Sequence, residues 1–386
     1  MTSGATTGEL RCHDCHATEL ELAAGYEKVG RVTSDCKPWP AGGRLALCRG
    51  CGLVQTVVSS TWQAECEAIY GDYTIYYQSG GSEQPVFDRD SGAGQARSEA
   101  VLRALFRQGV LSATGRWLDV GCGNGAMLRA CSRGLPGWTF CGAEVHDRYR
   151  AAVESIPRME QLVTGPLTEI AGEFDLISLV HVVEHIPGPR AYLERLGTKL
   201  KPNGLLLLEV PDCRANFFML AVADHCSHFS LGMLASVTSA AGYTVTQAAE
   251  AWVPKEITVV ACKSAAAPRG APGPPSMLES EQVFRGWQTL ARVRERLLSH
   301  RGSERLGILG TAIAATWLDA QSGGVAGFFV DEDPNRIGKA HRGRPVYSPA
   351  NIPVGAEVFV ALPPVLGESV GARLRALRPE VRFIVL

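Results

Sequence analysis

Between residues 100 and 264, short apolar runs alternate with amphipathic stretches. Arg116–Val120 (RWLDV), Trp138–Val145 (WTFCGAEV), Phe174–Val180 (FDLISLV) and Leu205–Val210 (LLLLEV) read as strands. Arg103–Phe106, Ala126–Ser132 and Leu231–Ala241 read as helical, and Tyr243–Thr246 and Glu256–Ala261 as two closing strands. The LLLLEV run is apolar at consecutive positions, as in a strand covered on both faces. Lys201-Pro202-Asn203-Gly204 reads as the turn that enters it. Strands alternating with helices predict a mostly parallel sheet, with ligands outside the carboxyl ends of its strands. A Pro/Gly/Ala run from Ala265 to Pro275 can neither pack a core nor sustain a helix, and reads as a linker. Beyond it the alternation resumes with Arg305–Gly310 (RLGILG), Phe328–Asp333 (FFVDED), Gly338-Lys339, Gly343-Arg344-Pro345-Val346 and Val358–Pro363 (VFVALP), a second α/β unit. Before residue 66 there is little periodicity, and residues 66–100 hold a compact cluster of Tyr70, Tyr73, Tyr76 and Tyr77.

The 386-residue length allows two or three domains. The pattern divides them at 1–75, 76–264 and 276–386. Apolar residues at 46% and charged residues at 20% are ordinary globular values. A net charge of −1 exerts no global pull on nucleic acid or an anionic membrane, so neither partner is expected. No apolar run is long enough to cross a bilayer, and Met1–Glu9 lacks the charged and apolar regions of a signal peptide. The expectation is a cytoplasmic protein, monomeric or homodimeric, acting on a small molecule.

The twelve cysteines change the picture. Cys12-x2-Cys15 and Cys48-x2-Cys51 form two matched pairs, and two such turns can close a tetrahedral S4 shell around Zn2+. A closed shell is structural, and it steadies a lobe with a small core. A redox pair is the competing reading, and His13 and His16 are alternative ligands.

Gly121, Gly123 and Gly125 follow RWLDV in the order Asp119-Val120-Gly121-Cys122-Gly123-Asn124-Gly125. Glycine permits a sharp strand-to-helix turn and close approach of a ligand to the main chain. The spacing is not that of a dinucleotide fingerprint, and no Lys-Ser/Thr follows to make a phosphate loop. Glu144, after the second strand, can accept hydrogen bonds from both hydroxyls of a ribose.

Taken together, the glycine loop, Glu144, Phe174-Asp175-Leu176-Ile177 and Leu200-Lys201-Pro202-Asn203-Gly204 resemble a class I S-adenosylmethionine-dependent methyltransferase over residues 100–264. The resemblance implies S-adenosylmethionine as cofactor, its methionine part over Asp119, Gly121, Cys122, Gly123 and Gly125. It places the ribose on Glu144, the adenine near Pro166 and Leu167, and His181 in the pocket wall. Glu184-His185 reads as a helix start with structural polar contacts.

The three-part order, with a cysteine array before the methyltransferase and a Rossmann-like unit after it, resembles the C-methyltransferases of nucleotide-linked deoxysugars. The implied fold is a doubly wound α/β methyltransferase sheet flanked by a zinc lobe and a Rossmann-like lobe. That family carries an acid-His pair in an E-H-x-x-Y/H-F-S stretch, matched here by Asp224-His225-Cys226-Ser227-His228-Phe229-Ser230. The match implies His225 as the general base and Asp224 as a group that orients it. A Tyr often precedes the acid by two positions, where this chain has Val222. His228 or a tyrosine hydroxyl would steady an enolate. The Tyr70 to Tyr77 cluster matches the family's substrate-contacting segment, with Tyr73, Tyr76 and Tyr77 as the implied contacts, or forms an apolar seam between lobes. Gly307 and Gly310, with Asp331 as a ribose contact, either seat a nucleotide handle or merely wall the cleft. The implied reaction is methylation of a carbon beside a carbonyl in a nucleotide-linked keto-deoxysugar or similar intermediate. The alternatives are methylation of oxygen or nitrogen, and a non-catalytic scaffold.

Overall fold

The computed structural model describes residues 10–75, 79, 81–83, 85–87, 93–250, 252–263, 275–300 and 305–386. Its centre is a seven-stranded sheet of β1 (Gly115–Val120), β2 (Trp138–Ala143), β3 (Met159–Val163), β4 (Phe174–Val180), β5 (Leu200–Pro211), β6 (Tyr243–Ala249) and β7 (Glu256–Lys263). The spatial order is β3-β2-β1-β4-β5-β7-β6, and β7 runs antiparallel to both its neighbours. The buried sequences FDLISLV and LLLLEV lie side by side in its middle, with apolar contacts on both faces. Lys201–Gly204 does not end a loop. It lies within β5, where Asn203 takes a left-handed φ of 62° and the register against β4 slips between Phe174 and Leu176. Met159–Val163 is a strand that its polar sequence MEQLV conceals.

The cysteine-bearing lobe is more regular than its sequence suggests. It holds a four-stranded sheet in the order Leu20–Leu22, Leu45–Cys48, Val54–Thr56 and Ser227–His228. The last strand comes from the segment after β5, so the lobe and the central unit share one sheet. A helix, Ser60–Gly71, follows, with the Ser59 hydroxyl accepting from the Trp62 N–H at 3.2 Å. Its buried residues Trp62, Cys66 and Ile69 lie on one face.

The third sheet has six strands in the order Ala340–His341, Arg344–Tyr347, Phe328–Val330, Leu306–Leu309, Glu357–Val360 and Arg382–Ile384. One apolar cluster runs through all three sheets, from Leu45 and Val54 through Ile177 and Leu206 to Ile308 and Phe329. The Ala265–Pro275 linker lies outside the described residues apart from Pro275, which is buried close to Gly52 beside a cysteine pair. Among the described residues, no helix is long and apolar enough to cross a membrane.

Candidate active site

The carboxyl ends of β1, β2, β4 and β5 open on the glycine loop. Gly121, Gly123 and Gly125 have φ values of 70°, 54° and 82°, which side chains disfavour. A Cβ on Gly121 would stand 2.3 Å from Val182 Cγ2, and one on Gly123 2.3 Å from Ile75 Cδ1. The loop is therefore flanked by the segment after β4 and by the chain leaving the tyrosine helix. Glu144, one residue past β2, accepts from the Gly123 N–H and the Val145 N–H, both at 2.7 Å. Pro166 and Leu167 follow β3 on the same side, where the Glu144 N–H bonds the Val163 carbonyl at 3.0 Å. These groups fit S-adenosylmethionine: a side-chain-free cradle, and a carboxylate at the level of the strand ends with lone pairs for two hydroxyls.

Asp119 plays another part. It is buried within β1, accepts from Ser178 Oγ at 2.6 Å, and burial pushes its pKa up to about 7. It supports the loop from below. Cys122 is buried against Gly142.

His181 has a left-handed φ of 55° and sits between two carboxylates, with Nδ1 3.4 Å from Glu184 and Nε2 3.4 Å from Glu256. Burial favours its neutral form, but Glu256 and Glu184 outweigh that and push its pKa up to about 10. Glu184 is 2% exposed, and among the described residues its carboxylate is met by His181.

Beside it lies an imidazole cluster. The rings of His185 and His225 meet edge to face at 4.6 Å, and the ligand atoms of Glu184, His185 and His225 lie within 4.8 Å of one another. Burial, helped by His185 and His228, pulls the His225 pKa well below its ordinary value, so its ring is neutral. Asp224 does not orient His225. Its carboxylate accepts from the Ser34 N–H at 2.9 Å and the Ser34 hydroxyl at 2.5 Å, and its nearest imidazole is His185, with Nδ1 at 3.4 Å from Oδ2 and 3.0 Å from the carbonyl. Tyr70 completes the group, its hydroxyl 3.1 Å from His185 Nδ1. Ser34 is thus a member of this cluster that the motif reading passed over, His185 was read there as a structural polar contact, and Tyr70 belongs to the tyrosine cluster already singled out. The signal for Tyr70 was Ser59 followed by apolar residues at helical spacing.

His228 is not open to the cleft. It is fully buried in the strand against Val54, with Nε2 3.1 Å from Thr56 Oγ1. Tyr73 bonds Ser34 through its side chain, its carbonyl accepts from Arg148, and its ring meets Tyr70 edge-on at 6.1 Å. Tyr76 and Tyr77 lie outside the described residues. Asp331 is already engaged, Oδ2 by Thr311 Oγ1 at 2.6 Å and Arg336 at 3.3 Å and Oδ1 by the Asp333 N–H at 3.0 Å.

The four cysteines converge. Cys12 and Cys51 Sγ are 3.8 Å apart and Cys15 and Cys48 Sγ 3.5 Å apart. A tetrahedron with Zn–S bonds of ~2.3 Å has edges of about 3.8 Å. The Cys51 N–H points at Cys48 Sγ at 3.5 Å, and a Cβ on Gly50 would approach the Cys48 and Cys15 sulfurs at 3.7 and 3.8 Å. The donor set fits zinc. His13 is turned away from it, accepting at Nδ1 from the Gly188 N–H at 3.1 Å and donating from Nε2 to the Cys226 carbonyl at 3.0 Å. His16 is not in the convergent group.

Residues 93–248 match a family model described as a methyltransferase domain. The ubiquinone biosynthesis O-methyltransferase of Paracidovorax citrulli is 27% identical over 128 residues, 31% of this chain and 52% of that protein. The trans-aconitate 2-methyltransferase of Deinococcus radiodurans is 30% identical over 115 residues, 29% of this chain and 40% of that protein. Among solved structures, PigF with SAH is 16% identical with a TM-score of 0.37, over 42% of this chain and 55% of that one. The chain spans about half the length of the curated relatives it matches. With the strand order and the glycine loop, the family match makes the region from 93 to 248 a class I S-adenosylmethionine-dependent methyltransferase domain.

Proposed function

We propose that the whole chain is a zinc-stabilised S-adenosylmethionine-dependent C-methyltransferase. Its acceptor is a carbon beside a carbonyl in a small molecule, with a nucleotide-linked keto-deoxysugar as the favoured class. The observation that supports it best is the neutral, buried imidazole of His225 beside the segments that flank the glycine loop. Methylating a carbon requires a base to remove a proton from it, and imidazole is one; the burial that keeps His225 neutral also weakens it as a base, an effect that the negative charge developing on the enolate beside it must offset.

Glu144 and the glycine loop hold the cofactor, which supplies an electrophilic methyl group when bound. His225 takes the proton from carbon, and the C–H electron pair becomes the enolate that attacks. Burial around His225 keeps water from re-protonating that carbon. The chain's task is then alignment, worth about 7–11 kcal/mol in well-oriented systems. Cys12, Cys15, Cys48 and Cys51 hold zinc as a structural ion, since four thiolates leave no open position.

The relatives' names favour a second reading, transfer to oxygen, in which the same imidazole deprotonates a hydroxyl. A nucleoside-diphosphate-linked keto-deoxyhexose, deuterated beside its carbonyl, separates the two. Carbon transfer loses the deuteron in the mass spectrum of the product, and oxygen transfer keeps it. His225→Asn should abolish turnover while calorimetric binding of S-adenosylhomocysteine stays within twofold. Full turnover in that variant removes the base assignment.

A further inference from the structure

We propose that Tyr70 is a further catalytic residue of this site, its hydroxyl donating a hydrogen bond to the substrate carbonyl oxygen, with His185 and Asp224 as the residues that position it. The inference rests on the reading above, in which proton removal by His225 sends negative charge to that oxygen.

The argument is an accounting of hydrogens. Asp224 is fully buried, and its carboxylate receives two donors from Ser34, the bonding pattern of an ionised acid. His185 Nδ1 faces two oxygens of this residue, the carbonyl at 3.0 Å and Oδ2 at 3.4 Å. Neither can donate, so Nδ1 carries the proton and His185 is the Nδ1–H tautomer. Tyr70 Oη, 3.1 Å from the same nitrogen, is then an acceptor toward it. The phenolic hydrogen is not spent on His185, and among the described residues no acceptor takes it.

Tyr73, its neighbour, is engaged within the group: its side chain meets Ser34 and its ring meets Tyr70 edge-on at 6.1 Å. Val222, 1% exposed and bridged to Val32, has no hydroxyl to offer.

Its place suits the task. The Tyr70 ring meets His185 edge-on at 6.3 Å, and the His225 ring meets the same His185 at 4.6 Å. Phenol and base thus flank one imidazole, whose residue bonds the Val182 carbonyl through its N–H at 3.0 Å, and Val182 lies against Gly121 of the glycine loop. Burial, with the charge of Asp224, pushes the Tyr70 pKa up, so the phenol keeps its proton and stabilises an oxyanion by donation.

The first test needs no substrate. In histidine-15N-labelled protein, with His185 assigned by loss of its signals in His185→Gln, the ring should be the Nδ1–H tautomer. An Nε2–H tautomer overturns the proposal, because Tyr70 would then spend its hydrogen on Nδ1. Metal analysis should give one zinc per chain. A second ion that Glu184→Gln releases also overturns it, since the cluster would be a metal site.

The second test uses the deuterated keto-deoxyhexose. Tyr70→Phe should lower kcat about 10²–10³-fold, the usual effect of losing one oxyanion donor, with KM and S-adenosylhomocysteine affinity within twofold. Difluorotyrosine placed at position 70, a stronger donor of nearly the same shape, should keep the kcat that Tyr70→Phe loses and change it without moving KM, a split that a merely structural tyrosine would not show. A Tyr70→Phe enzyme within twofold of wild type, beside an inactive His225→Asn, overturns the Tyr70 role alone. Full activity in both variants overturns the base reading beneath it.

Discussion

Acidification should loosen the segment that carries His225, and His228 is the group through which to measure it. His228 is fully buried, and burial, with His13 nearby, holds its pKa down to about 3. Thr56 Oγ1 donates to the His225 carbonyl at 2.9 Å, so at 3.1 Å it accepts from His228 Nε2–H. The ring is neutral in the fold, and among the described residues Nδ1 has no hydrogen-bond partner. An unfolded histidine titrates near ~6.5. The folded pKa is therefore depressed, and protons favour the unfolded chain. The neutral ring's stabilisation is fully present above about pH 6.5 and is lost progressively as the pH falls toward 3. Integrated from pH 7 to pH 5, the proton binding of the unfolded ring that the folded ring cannot match is worth about 2 kcal/mol. Asp119 and Glu209, both raised to about 7, act with the opposite sign over this window, so the wild type's total pH dependence does not isolate the histidine. His228→Gln does, because its amide can still donate to Thr56 but does not titrate. Urea titrations of both proteins at the two pH values should show wild type losing about 2 kcal/mol more than the variant. Equal pH dependence in the two would refute the burial argument for His228.

The other expectations are shorter. Gly123→Ala forces a side chain into a left-handed residue and against Ile75, at about 1–2 kcal/mol for the backbone alone; calorimetry with S-adenosylhomocysteine should show at least a tenfold loss of affinity. Cys48→Ser should eliminate the zinc proposed for the four-cysteine site in elemental analysis and lower the melting temperature, because a structural zinc contributes about 10–16 kcal/mol to small folds.

What could be read in the sequence follows from how local the physics was. The glycine spacing was legible because each glycine answers to its own φ, and the cysteine pairs because each turn of chain aims two thiolates by itself. The partner of Asp224 was not. Its sequence neighbour is His225, but consecutive side chains diverge, and its carboxylate meets Ser34, 190 positions away. His13 misled in the same way: it stands beside a cysteine ligand and turns its ring to Gly188 and Cys226. These misses share one cause. Residues 220–228 belong to the central unit by sequence, yet the cysteine-bearing lobe grips them almost one by one. Tyr26 bonds Leu220, Val32 bridges Val222, Trp62 bonds Ala223, Ser34 bonds Asp224, Thr56 bonds His225, His13 bonds Cys226, and Val54 pairs with His228. A closed S4 shell cannot touch a substrate, but a lobe that supplies a strand, three side-chain clamps and the tyrosine helix to the imidazole cluster sets where His225 and His185 stand. If the proposed function holds, zinc governs the reaction through position, and its loss should depress turnover before it depresses cofactor binding, which depends on the glycine loop of the neighbouring sheet.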